Sequence, residues 1–524
     1  MTMADLPMSG SLMRALVPEL LLVTGALGLL LATVWQPQGQ AAAAAEGAER
    51  TSLIARFAML LCGLTGIAVI IAWGDAAAGT ADGRIAGDGF RWAVDLVILG
   101  GTGLVLALLD ADHERSQAFS PEVPVLLLLS ASGMMVLAAA RDLMIVFLGI
   151  ELMSLAVYVL AGVNRRSARG AESAVKYFLL GAFSTGFLLY GMALVFGATG
   201  STRYADIATW IAQHPALSPM LRIGMGLLLV GFAFKVAAAP FHVWTPDVYD
   251  GAPLPVTAFM AAVVKTAAFA AFLRLMTDAF VGPVAEWHAV LWWLAVLTMV
   301  LGNVFALSQT NLVRMLGYSS IAHAGYLLVT IIAHSAGGVS ALLFYAVTYT
   351  LATMAAFGVL ITVSGGRDQA PTLADVTGLW STRPGLAVAM AVSLLALLGM
   401  PLAGGMGFFA KWYLLQAAWQ AAAPQAVLAI VLVLSSVVSA GYYLKVIAAM
   451  FMRPAATNGS VAEPVPMAHG VLVLCTVALL VLGLVPTPVS RLAGRAHLAT
   501  GAESQRTVPP APITTPLSTA SLTR

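Results

Sequence analysis

The stretch FLGIELMSLAVYVL, Phe147–Leu160, decides the fold. It lies in an apolar run, 142–162, of the length that crosses a bilayer as one helix. Glu151 is the tenth residue of that run, and Ser154 and Tyr158, at i+3 and i+7, share its helix face. A carboxylate at that depth is expensive in hydrocarbon, by about 2.5–3.5 kcal/mol on insertion scales. It therefore marks either an ion pair with a neighbouring helix or a proton site, and the two are compatible.

Runs of the same kind fill the chain. They fall near 17–35, 54–74, 93–110, 122–140, 142–162, 172–197, 221–244, 255–277, 288–307, 317–333, 337–362, 385–419, 424–450 and 468–486. That makes fourteen spans if 385–419 is one broken helix. The expected fold is all-α, a polytopic membrane protein. Of 524 residues 60% are hydrophobic and 10% charged, against about 25% charged in average globular usage. Mean hydropathy is +0.91, so the apolar character is global. The segment 36–52 reads as an alanine-rich linker, and the tail after about 487, rich in Ser, Thr and Pro, as disordered. The first run is too long for a typical signal-peptide core and carries Pro18 and Glu19, which favours a retained helix. Arginines in the loops, led by Arg165, Arg166 and Arg169, put the odd-numbered loops in the cytoplasm and both termini outside.

The inventory excludes several chemistries. A formal net charge of +2 argues against nucleic acid. Cys62 and Cys475 stand alone in apolar runs, with no CxxC or CxH spacing for iron–sulfur, haem or zinc. There is no HExxH, Walker loop or GxGxxG after a strand, so no cofactor or metal is expected in this chain.

The lysines carry the function. There are five against 21 arginines: Lys176, Lys235, Lys265, Lys411 and Lys445, all within or at the ends of apolar segments. Lysine loses its proton readily on burial, whereas arginine stays charged. Lys265 in MAAVVKTAAF, Lys235 in GFAFKVAAAP and Lys411 in GFFAKWYLL are too deep to snorkel; Lys235 is deep if its helix continues, interrupted, past Pro240. Lys176 and Lys445, nearer helix ends, fit snorkelling as well as function. Lys235 precedes Lys265 by 30 residues and Lys411 precedes Lys445 by 34, with offsets of 176 and 180 between the pairs. Shifting Glu151 by 172 residues lands on His323, in YSSIAHAGY with Ser319, Ser320 and Tyr326. Pro240 follows the first lysine, and Gly399, Pro401, Gly404, Gly405 and Gly407 precede Lys411. Paired interruptions in two halves point to discontinuous transporter helices. His323 suits a proton relay, although a lone buried histidine is commonly structural; His242, in APFHVWTPD, reads as structural.

These residues resemble a known family. AAPFHVWTPDVYDGAPLPVTAFMAAVVKTAAF, Ala238–Phe269, is similar to the signature of subunit N of bacterial NADH-quinone oxidoreductase, respiratory complex I. That family is antiporter-like and related to Mrp-type cation/proton antiporters. GIELMSLAVYVLAG around Glu151, ESAVKYFLLGAFSTGFLLYG around Lys176 and RMLGYSSIAHAGY extend the similarity over about 120–450. The resemblance implies two inverted five-helix repeats, spans 4–8 and 9–13, with spans 7 and 12 broken. The chain then divides into three N-terminal helices (1–120), two repeats (121–280 and 281–452), a last helix (453–490) and a tail (491–524). It also implies a proton path in which Glu151 and Lys235 pair, Lys265 and His323 relay and Lys411 serves the second half, with Lys176 a weaker member. In GMPLAGGMGFFAK the proline lies further from Lys411 than is usual in the family. The implied function is proton translocation in the cell membrane, coupled to quinone reduction in other subunits that hold FMN and iron–sulfur clusters. The implied partners are other membrane-arm subunits and the lipid bilayer. The alternatives are an Mrp-type Na+/H+ antiporter or membrane-bound hydrogenase subunit, and a membrane scaffold whose ion pairs only fix packing.

Overall fold

In the computed structural model the described residues are 10–34, 43–74, 83–401, 405–454, 465–496 and 498. Every regular element among them is helical, and only isolated bridges such as Asp142 to Arg203 join loops. Residues 43–52, expected as linker, join the second helix, and 487–495, expected as the start of a disordered tail, form a short helix; the rest of that linker and the tail beyond 498 lie outside the described residues.

The helices are α1 (Gly10–Val34), α2 (Ala43–Gly74), α3 (Gly89–Ser116), α4 (Glu122–Ala139), α5 (Leu143–Ala161), α6 (Ala168–Thr199) and the short α7 (Tyr204–Gln213). Next come α8 (Pro219–Lys235), α9 (Thr245–Gly251), the span α10 (Leu254–Ala279), α11 (Val284–Leu307), α12 (Leu312–Ala333) and α13 (Ala336–Ser364). The last are α14 (Pro384–Leu398), α15 (Gly405–Trp419), α16 (Ala426–Met452), α17 (Pro466–Leu484) and α18 (Thr487–Arg495). Twelve are long and apolar enough to cross a membrane, and they coincide with twelve of the expected spans. The other two expected spans are the interrupted ones. Span 221–244 is helical only to Lys235, and 385–419 is split into α14 and α15.

Local sequence sets the boundaries. Asp142 accepts from the Met144 amide, Ser167 from Gly170, Ser218 from Leu221 and Asn311 from Val313 and Arg314, so a short polar side chain caps each start. Gly399, at φ +84°, closes α14 in the left-handed conformation that side chains disfavour.

Burial orders the bundle. Helices α10 and α12 are buried along nearly their whole length, while α1, α2, α6, α11, α16 and α17 show much of their surface. The two innermost helices are those that carry Lys265 and His323. Neighbours along the chain pack closely, as in α11 against α12, where a Cβ on Gly302 would meet the Ala322 nitrogen at 2.5 Å.

Each end of the bundle carries its own charge network. At the end where α3 begins, Arg274 of α10 donates to both oxygens of Asp88, at 2.7 and 2.8 Å, and to the Ala138 carbonyl at 3.2 Å. Arg141 donates to Asp278 at 3.1 Å. Burial works to raise the Asp88 carboxyl, but the charge and hydrogen bonds of Arg274 outweigh it and hold the group at about 2. At the other end Arg169 pairs with Asp250 at 2.6 Å and Arg314 with Asp247 at 2.8 Å. There a polar cleft of about 810 Å³ opens between the loops at 116–120, 162–166, 250–254 and 366–370.

Arg274→Met strands the Asp88 carboxylate and should cost about 3–5 kcal/mol, the penalty for breaking a buried pair. Thermal melting in detergent should show that loss, with partial recovery in Arg274→Met/Asp88→Asn. Because the Asp88 carboxyl is depressed, its contribution is present above the ordinary carboxylate range and fades as pH falls from about 4 toward 2.

Candidate functional site

Lys235 is the last residue of α8. The helix stops because Ala237 takes φ +59° and Pro240 offers no amide hydrogen, so the chain turns through 236–244 instead of continuing. The expected helical continuation past Pro240 is therefore replaced by turns, tied down where the Ala239 amide donates to Thr298 Oγ1 at 2.9 Å. Lys235 is buried all the same, and its amine donates to Ser154 Oγ at 2.8 Å and Tyr158 OH at 3.1 Å. These are the two residues that share the face of Glu151. Glu151 itself is partly exposed and accepts from Thr185 of α6 at 2.9 Å. No ion pair joins Glu151 and Lys235 among the described residues; two hydroxyls of α5 stand where a carboxylate was expected. Tyr158 packs edge-on against Tyr177, which stacks on Trp244, so an aromatic wall encloses the amine.

Lys265 follows a π-helical turn, Met260–Val264, that loosens the ladder within α10. Its amine donates to the Ser320 carbonyl at 2.7 Å and also bonds the Ser320 hydroxyl. On the same helix, α12, His323 is held from both sides: Tyr345 OH lies 2.6 Å from Nδ1 and Tyr443 OH 3.2 Å from Nε2. Tyr443 also bonds Ser319. Beyond His323 a void of about 10 Å³, roughly one water sphere, is lined by His323, Tyr345, Tyr349, Gly407 and Lys411.

Lys411 of α15 donates to the Leu398 carbonyl at 2.8 Å and Ser436 Oγ at 2.9 Å, with its amine 4.8 Å from the centre of the Tyr326 ring. Leu398 is the last residue of α14, so the broken helix leaves a carbonyl that the ammonium takes up. Both broken helices thus place a lysine at a helix C-terminus, the end whose dipole favours a cation. No carboxylate pairs with Lys235, Lys265 or Lys411 among the described residues, and their hydrogen bonds all go to hydroxyls and carbonyls.

The remaining lysines lie apart. Lys176, expected as a weaker member of the path, has a side chain 41% exposed and pairs with Glu172 at 2.7 Å and Asp247 at 3.0 Å. It belongs to the surface network at the end that carries the polar cleft. Lys445 is exposed on α16.

Residues 140–439 match the NADH:quinone oxidoreductase/Mrp antiporter transmembrane family. NADH-quinone oxidoreductase subunit N of Gemmatimonas aurantiaca is 67% identical over 507 residues, covering 97% of this chain and 98% of that protein. The chain belongs to the subunit N family. Subunit N of Trichlorobacter lovleyi is 43% identical over 488 residues, covering 92% of this chain and 96% of that protein. A chain of respiratory complex I from Thermus thermophilus, 36% identical, superposes with a TM-score of 0.74 over 91% of this chain and all of its own. A chain of the Mrp complex from Dietzia, at 22% identity, shares the fold with a TM-score of 0.77 over 93% of this chain and 97% of its own.

Several residues that complete the site in this subunit N chain were not singled out from sequence. Tyr345 and Tyr443 connect His323, Thr185 connects Glu151 and Ser436 connects Lys411 to the surrounding helices. The available signal was polar residues recurring inside apolar spans, as in FYAVTYT (344–350) and SSVVSAGYY (435–443). The break before Lys411 depends on close approach: a Cβ on Gly407 would overlap the Ala396 carbonyl.

Gly407→Val should push α15 from α14 and pull Lys411 off Leu398, destabilising by about 1–3 kcal/mol as overpacking does; a lowered melting temperature checks it. Ser154→Ala removes a hydrogen bond to a charged group, worth about 1.5–3 kcal/mol. In the assembled complex this variant should slow proton transport about tenfold or more while its subunit content stays normal.

Proposed function

We propose that this chain works as the subunit N of a membrane-bound NADH-quinone oxidoreductase and moves protons along Glu151, Lys235, Lys265, His323 and Lys411. The observation that carries the reading is the bonding of the three buried lysines to hydroxyls and carbonyls alone. An amine so placed can give up its proton without stranding a buried carboxylate. Arginine in the same positions would hold its charge permanently.

The groups divide the work. Ser154 and Tyr158 steady the Lys235 ammonium, and Glu151 on the same face of α5 sets its proton affinity through the field, approaching as an ion pair when the amine must stay charged. Ser320 holds Lys265, and His323 with Tyr345 and Tyr443 offers hydroxyl and imidazole groups that rotate or change tautomer toward Lys411. The two interrupted segments serve as matching elements of two inverted repeats, spans 4–8 (121–280) and 9–13 (281–452), each bringing a lysine to the C-terminal end of a helix. Quinone reduction and its flavin and iron–sulfur chemistry belong to the other subunits of the complex, with which this chain packs in the membrane arm.

A sodium-coupled antiporter is the second reading, favoured by the fold shared with the Mrp complex. Sodium requires a cage of oxygen ligands, and a file of ammonium groups repels it.

Lys235→Ala in the assembled oxidoreductase should leave NADH-driven electron transfer partly intact and lower the protons moved per electron, measured in proteoliposomes. Lys445→Ala, at the exposed lysine, should leave both unchanged. A normal proton-to-electron ratio in Lys235→Ala would overturn the path; sodium-dependent transport would favour the antiporter.

A further inference from the structure

A second buried charge cluster lies outside the lysine file, where α1 and α3 meet near the start of α3. Arg91 of α3 is fully buried and donates to the Ala86 and Ala15 carbonyls, each at 2.7 Å, and to Glu19 Oε1. Its Nε stands 3.4 Å from Asp95 Oδ2, four residues on, in an ion contact without hydrogen-bond alignment. Asp95 has no exposed surface, and neither of its oxygens accepts a hydrogen bond; Glu19 Oε2 is likewise unbonded. The charges facing Asp95 are Arg91 on its own helix, Glu19 from α1 and, from α10, Arg274.

Counting decides the protonation. Arg274 is already engaged, both of its terminal nitrogens being bonded to Asp88, and Asp278 is bonded to Arg141. That leaves one guanidinium, Arg91, for two carboxylates. Two acids sharing one cation do not both ionise, because the second charge has no counter-ion of its own and, among the described residues, no hydrogen-bond donors. Glu19 takes the direct bond from Arg91, so Asp95 is the group left over.

We infer that Glu19 and Asp95 form a second proton-binding site in this protein, holding one proton between two carboxylates with Asp95 as its seat. The site is separate from the lysine path, although it lies toward the Arg274 end of the helix that carries Lys265. It goes beyond the proposed function, and its test does not depend on transport. Removing either acid leaves Arg91 with a single carboxylate partner.

The experiment compares infrared spectra of the purified complex at neutral pH for wild type, Asp95→Asn and Glu19→Gln. Wild type should carry one protonated-carboxyl C=O band that both variants lack. Asp95→Asn removes the protonated acid outright. Glu19→Gln leaves Asp95 as the sole partner of Arg91, where it ionises. Should Asp95→Asn fail to assemble, Glu19→Gln alone decides, since its loss of the band requires the shared proton. A band unchanged in Glu19→Gln, or present equally in wild type and both variants, would overturn the site.

Discussion

An ammonium group inside a membrane needs oxygen atoms around it, and in a bundle of helices almost every backbone oxygen is already bonded. The architecture answers that constraint in three ways. Helix α14 stops inside the bundle and leaves the Leu398 carbonyl for Lys411. Helix α12 turns the carbonyl and hydroxyl of Ser320 toward Lys265. Helix α5 offers Ser154 and Tyr158 to Lys235. Each solution uses neutral oxygen, which stabilises the cation without fixing it. Helices α10 and α12 lie at the centre of the fold because the groups they carry must be kept from lipid.

The sequence disclosed a great deal of this, through length and charge. Twelve of the fourteen expected spans are single membrane-length helices among the described residues, and the two that are not are the two whose Pro and Gly content announced a break. Ser154 and Tyr158 were visible as the i+3 and i+7 neighbours of Glu151 because helical spacing fixes which residues share a face. Less legible was what lies opposite that face. Glu151 and Lys235 read as an ion pair, yet the amine reaches the two hydroxyls, while Glu151 turns to Thr185. Which oxygen a long side chain selects depends on the placing of helices distant in sequence.

Lys176 shows the same limit from the other side. Within its own run it lies eight residues beyond the start of α6, where snorkelling and a place in the path fit equally. Its surroundings come from α9, where Asp247 stands 71 residues later in the chain, and the pair belongs to a water-facing network. Tyrosines 345 and 443 escaped notice for a related reason: inside apolar spans they resemble packing residues until His323 is found between them.

The bond between Lys411 and Leu398 ties proton occupancy to mechanics. A charged amine makes the stronger, charge-assisted bond to a carbonyl, and a neutral amine the weaker one. The joint between α14 and α15 would accordingly be stiffer with Lys411 charged than with it neutral. On the proposed path, a chemical event on one nitrogen atom would thereby become a change in the elasticity of two helices.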